Sequence, residues 1–104
     1  MPAGERIYAG NCIACHQPAG QGIAGVYPAL AGSAVVRGDP SALAAWIVKG
    51  RRPATMPAGR YTTVMPQFAW LRADEAAALI SYLRSSFGNH AGAVDAVSIA
   101  DALQ

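Results

Sequence analysis

Two cysteines and a histidine stand together near the start of the chain, in Cys12-Ile13-Ala14-Cys15-His16. Two thiols three residues apart on one helical turn can each add to a vinyl group of a haem, and the histidine that follows then turns under the ring to bind iron. The same spacing also serves redox dithiols and zinc sites. A redox dithiol wants a βαβ pattern around it, and no strand pattern here is convincing. A zinc site wants a second ligand pair, for which His90 is the only other strong candidate. Covalent haem attachment through Cys12 and Cys15, with His16 as a metal ligand, is therefore the expectation.

The opposite side of the iron has three candidates: Met56, Met65 and His90. A neutral thioether favours ferrous over ferric iron and raises the potential relative to a second imidazole, which suits a carrier of electrons. Both methionines precede a proline, in Met56-Pro57 and Met65-Pro66, whereas His90 follows the helix-closing Gly88 and belongs at the surface. Haem propionates need cationic partners, and Arg37, Lys49, Arg51, Arg52 and Arg60 lie between residues 37 and 60 against a single Asp39. Arg51 is the candidate taken from this group, with a solvated basic face as the plain alternative. Trp46 and Tyr61 are candidates for the pocket wall.

Helices must position these groups. The first is expected from about Ala3 to Ala14, followed by a loop from Gln17 to Gly38 whose Gly and Pro residues disfavour regular structure. The second is sharply punctuated: Asp39 as N-cap acceptor, Pro40 at the first helical position, Leu43, Trp46 and Ile47 as the apolar stripe, and Gly50 as the stop. After a second loop, Arg51 to Trp70, a third helix is expected from about Ala73 to Phe87, with Ala76, Leu79, Ile80, Leu83 and Phe87 on one face and Asp74 and Glu75 at its positive end. Val94 to Leu103 suggests a short fourth helix. The expected fold is all-α, one domain over residues 1–104, with about four helices and long loops.

Composition narrows the function. Apolar residues make up 53% of the chain and charged residues 13%, so it is globular, and a formal charge of +2 is far from the basic stripe that phosphate binding requires. No run approaches the roughly eighteen apolar residues of a membrane span. The opening Met1-Pro2-Ala3-Gly4-Glu5 has no basic region followed by an apolar one, so a secretory signal either never existed or has been removed, which decides nothing. A helical core of this size is marginal alone, and a bound prosthetic group would fill its middle.

Gly4-x-x-x-Tyr8-x-x-x-Cys12-x-x-Cys15-His16 resembles the N-terminal helix of class I mono-haem cytochromes c, and Val64-Met65-Pro66 resembles their distal ligand loop. The likeness spans nearly the whole chain. It implies the class I fold wrapped around one haem, Met65 as the second iron ligand, the Pro28 carbonyl as hydrogen-bond partner of His16, and a helix crossing that sets Gly4 against Tyr82. More narrowly, Gly25-Val26-Tyr27-Pro28-Ala29-Leu30-Ala31-Gly32-Ser33, Met65-Pro66-Gln67-Phe68 and Ser81-Tyr82-Leu83-Arg84-Ser85-Ser86-Phe87-Gly88-Asn89 are similar to the cytochrome subunits and domains of bacterial periplasmic dehydrogenases. Such a likeness implies electron transfer in the periplasm, with no catalysis by this chain, from a dehydrogenase donor to an oxidase or another cytochrome of the respiratory chain. One residue departs from the pattern: Arg72 stands where the family usually has a Ser or Thr cap, leaving Glu75 in place.

From Ile7 to Val36 there is no Asp, Glu, Lys or Arg, and this stretch holds the attachment loop. A charge-free docking edge suits a cytochrome held beside its donor, where local concentration replaces electrostatic steering. Two other readings stand beside it: a diffusible cytochrome that feeds a terminal oxidase, and a peroxidase or ligand sensor if the distal methionine is labile.

Overall fold

The computed structural model describes residues 1–56, 61 and 64–104, and along them the chain is helical. α1 (Ala3–Asn11) and α2 (Ile13–His16) lead into a turn-rich stretch; α3 (Ala34–Arg37) and α4 (Pro40–Lys49) follow, then a second long connection, α5 (Ala73–Ser85), α6 (Ala96–Ile99) and a closing 3-10 turn (Ala100–Leu103). The all-α class is as expected. Among the described residues the only extended pairing is one bridge, Ile23 to Tyr27.

α1 packs chiefly on α5. Their approach depends on Gly4: a Cβ there would overlap the Ala78 carbonyl oxygen and sit 2.9 Å from Cβ of Tyr82. One turn on, Tyr8 is buried against Tyr82 and Phe87, with ring centroids 5.7 and 5.2 Å away. The crossing expected of Gly4 and Tyr82 is present, and aromatic packing surrounds it. Leu79, Ile80 and Leu83 of α5 then join Leu43, Ala44 and Ile47 of α4 in one buried core with Val36 and Ile99.

α4 obeys its punctuation. The Asp39 carboxylate accepts the Ser41 N–H at 2.9 Å, and Gly50 ends the helix at φ +71°, a left-handed conformation that glycine takes without strain. At α5 a guanidinium cannot accept a hydrogen bond, so Arg72 provides no side-chain cap. Glu75 provides the one present, accepting the Arg72 N–H at 2.9 Å, while the exposed Arg72 side chain pairs with Asp74 at 3.1 Å.

Four boundaries differ from expectation. The N-terminal helix does not run through to Ala14: it breaks at Cys12 (φ −114°), whose carbonyl then accepts the amides of both Cys15 and His16, so the attachment turn is a separate short helix. The Gln17–Gly38 stretch contains α3, because the Ser33 hydroxyl caps it by accepting the Val36 N–H at 3.3 Å. α5 stops at Ser85, where Ser86 turns extended and Phe87 swings to φ +58°, its ring lying over Gly20. The last segment is shorter than Val94–Leu103, with Asp95 capping α6 through the Ser98 N–H and Ile99 fully buried.

Candidate functional site

The break at Cys12 sets the site's geometry, since α1 can lock onto α5 while α2 turns its own side chains inward. Cys12, Cys15 and His16 all line one cavity of about 220 Å³, bounded by α2, α3, α4 and α5. Its walls are largely apolar, with Leu30, Val36, Leu43, Ile47, Leu79 and Leu83 among them. Cys12 and Cys15 form no disulfide with each other, and before any attachment burial, and secondarily the nearby Cys15, pushes the Cys12 thiol up to about 11.

His16 is buried, and its Nδ1 lies 2.8 Å from the Pro28 carbonyl oxygen. A carbonyl only accepts, so Nδ1 carries the proton and the lone pair is left on Nε2. Burial lowers the His16 pKa, an effect the Pro28 carbonyl opposes, and the outcome is a neutral imidazole. Gly22 donates its amide to the His16 carbonyl at 3.0 Å, so the loop that carries Pro28 is also tied to the backbone of the attachment turn.

Met65 and Met56 both reach this cavity. They are held differently. Met65 packs against the hydrophobic core, while Met56 closes a turn by donating its amide to the Pro53 carbonyl at 2.9 Å. His90 is exposed and does not line the cavity. Trp46 and Tyr61 do line it.

Of the basic group, Arg52 lies at the cavity wall and Arg51 does not. Arg51 is exposed, and its amide is spent on the Ala45 carbonyl at 3.1 Å, where the chain leaves α4. The two are neighbours in a segment without regular structure, and of the pair only Arg52 reaches the wall. Lys49 is away from the cavity, Arg37 donates to the Gly32 carbonyl at 3.0 Å, and Arg60 lies outside the described residues.

Sequence reasoning did not single out Asn89, which is buried and holds the far side of the Pro28 loop. Its amide nitrogen donates to the Leu30 and Leu83 carbonyls, and its carbonyl oxygen accepts the Gly32 N–H at 2.9 Å. In the sequence it appears only as the last residue of the Ser81–Asn89 resemblance, with no role of its own. Two cysteine sulfurs, a neutral imidazole, two thioethers, apolar walls and, among the described residues, one cation at the edge suit a large planar apolar ring with an anionic rim and a central metal that takes nitrogen and sulfur ligands.

Residues 2–87 match the family model described as cytochrome c. The chain is 34% identical over 100 residues to the cytochrome c subunit of alcohol dehydrogenase (quinone) from Gluconobacter oxydans (strain 621H), covering 93% of this chain and 21% of that protein. It is 31% identical over 102 residues to the subunit of the same description from Gluconacetobacter polyoxogenes, again covering 21% of it. Cytochrome c-552 of Thermus thermophilus is 34% identical over 91 residues, which cover 83% of this chain and 69% of that protein. The chain thus spans about a fifth of the length of the dehydrogenase subunits it resembles. By the family match and by the cavity behind its Cys-x-x-Cys-His turn, this chain belongs to the cytochrome c family, carries covalently attached haem c and transfers electrons with it.

Proposed function

We propose that Cys12 and Cys15 hold the haem, that His16 and Met65 bind its iron, and that the chain takes electrons from a periplasmic dehydrogenase as that enzyme's cytochrome subunit or domain, passing them to an oxidase or another cytochrome. When bound, haem c supplies one-electron exchange between ferric and ferrous iron. Oxidation of substrate belongs to the partner. The observation that carries the ligand assignment is the meeting of a neutral His16, oriented by the Pro28 carbonyl, and a core-anchored Met65 on one apolar cavity.

Each residue has a definite task in this scheme. Pro28 keeps the His16 proton on Nδ1, leaving Nε2 to the iron. Met65 gives a neutral thioether, which favours the ferrous form. Apolar walls exclude water and so limit solvent reorganisation around a changing charge. Arg52, at the wall where Arg51 is not, is the cation for a propionate.

Support for a dehydrogenase partner comes from the relatives' descriptions and from the surface. The uncharged run from Ile7 to Val36 contributes Asn11, Cys15, Tyr27 and Ala29 to the cavity lining, and Val64, 85% exposed, lies on the same lining. Such an edge favours contact with a partner held nearby over long-range steering. The periplasm follows from the need for thiols to meet haem where c-type cytochromes mature.

The test is the visible spectrum of the ferric protein, where sulfur ligation gives a weak band in the red. The band is expected in the parent and in Met56→Ala and lost in Met65→Ala. Survival of the band in Met65→Ala would transfer the ligand role to Met56. Its absence from the parent, with rapid cyanide binding, would replace the carrier reading by an open-iron one.

A further inference from the structure

Arg84 is a buried cation without a buried anion. It leaves α5 one residue after cavity-lining Leu83, and it is only 8% exposed. Its guanidinium donates to four backbone carbonyls: Val36 at 3.0 Å, Gly38 at 2.6 Å, Gly92 at 3.0 Å and Ala91 at 2.7 Å. Among the described residues no carboxylate comes within ion-pair distance of it, and the six residues outside the description include no Asp or Glu. The carbonyls solvate the charge but do not cancel it.

An unpaired charge taken out of water is costly, and mere stapling of loops does not need one: buried Asn89 ties together neighbouring segments with three neutral hydrogen bonds. What a charge adds is reach. Val36, which accepts the Nη1 bond, itself lines the haem cavity, so the guanidinium lies just behind that wall, and interactions through a low-dielectric interior are weakly screened.

We propose that Arg84 is a fixed positive charge that raises the reduction potential of the haem site. Reduction adds one electron and so removes one positive charge from the site. A nearby cation disfavours the more positive ferric state and therefore favours the ferrous one. Arg84 touches neither iron nor porphyrin in this scheme; it acts through the field, with the Val36–Gly38 turn holding it in place.

The experiment is spectroelectrochemical titration of the holoprotein, restricted to variants that keep the red sulfur-to-iron band so that loss of the distal ligand is not read as loss of charge. Arg84→Gln is expected to lower the ferrous-to-ferric ratio at fixed poise by severalfold to tenfold, tenfold being about 59 mV for one electron. Arg84→Lys keeps the charge while losing most of the carbonyl bonds, and is expected to stay near the parent potential. Because Arg84→Gln removes several buried bonds and can fail to fold, Ala91→Asp supplies a second arm. It leaves Arg84 in place but sets a carboxylate beside it on a partly exposed loop, and should lower the potential in the same direction by a smaller step. The shift in Arg84→Gln should also persist at high salt, unlike that of an exposed charge. An unchanged potential in Ala91→Asp, or an equal fall in Arg84→Lys and Arg84→Gln, would overturn the proposal.

Discussion

Tyr8 shows how much a single hydroxyl can organise. It donates to the Gln17 carbonyl at 2.5 Å, next to the attachment turn, and Gln17 itself sits at φ +73° and ψ 160°, a region that glycine alone enters freely. The bond helps to hold that strained exit from α2. Tyr8→Phe is expected to lower stability by about 1 kcal/mol, measured from denaturant midpoints at constant slope. Burial pushes the Tyr8 pKa from 10.0 to about 12, so the native state holds this proton more tightly than the unfolded chain does. Its contribution is therefore complete below pH 10.0 and declines as pH rises towards about 12, and Tyr8→Phe should lack this alkaline decline. At this scale the Cys-x-x-Cys-His grouping is legible from spacing alone. The choice between Arg51 and Arg52 is not, because the two lie in a segment without regular structure, where no periodicity tells which side chain turns to the cavity. Gln17 gives no sign of strain either, since its conformation is imposed by contacts from Tyr8 and from the loop beyond.

Among the elements, legibility follows local chemistry. α4 is readable end to end because its cap, its first-turn proline and its terminal glycine are all neighbours in sequence. α1 and α2 read as one helix, and the break at Cys12 comes instead from two demands that a straight helix cannot meet together: contact with α5 and a cavity-facing attachment turn. α3 has a cap in Ser33 that the surrounding glycines and prolines conceal. The α1–α5 crossing carries the clearest mutational prediction. Gly4→Ala must push its methyl into the Ala78 carbonyl, part of a helix backbone that has no rotamer to change. The two helices must separate, and a loss of about 1–3 kcal/mol is expected from thermal or denaturant melts. An unchanged midpoint would mean that the helices cross less tightly in solution. Gly10, on the same helix with nothing within 4 Å of where a methyl group would stand, is the control: Gly10→Ala should be neutral or mildly stabilising.

At the scale of the molecule, a tight α1–α5 crossing stands beside a cavity that α2 to α5 and the long connections line together. The need for a central filler was legible in composition and length. Which loops would meet was not, because Asn89 and Arg84 join segments about 46 to 59 residues apart through backbone carbonyls and amides that any sequence possesses. Surface charge gives the remaining prediction. On the proposed role as a dehydrogenase's cytochrome, the rate of electron transfer from a purified quinone-dependent alcohol dehydrogenase is expected to change little across an ionic-strength series, since residues 7–36 offer no Asp, Glu, Lys or Arg to screen. A steep fall with salt would favour a freely diffusing carrier guided by charge. The uncharged run from Ile7 to Val36 has one more consequence, for fidelity. A face without charge has nothing with which to repel a wrong donor, and discrimination between partners commonly relies on such repulsion. On the proposed role beside a donor enzyme, selectivity is delegated to whatever joins the two, and the same domain becomes portable, able to serve a different oxidising enzyme once it is fastened beside it.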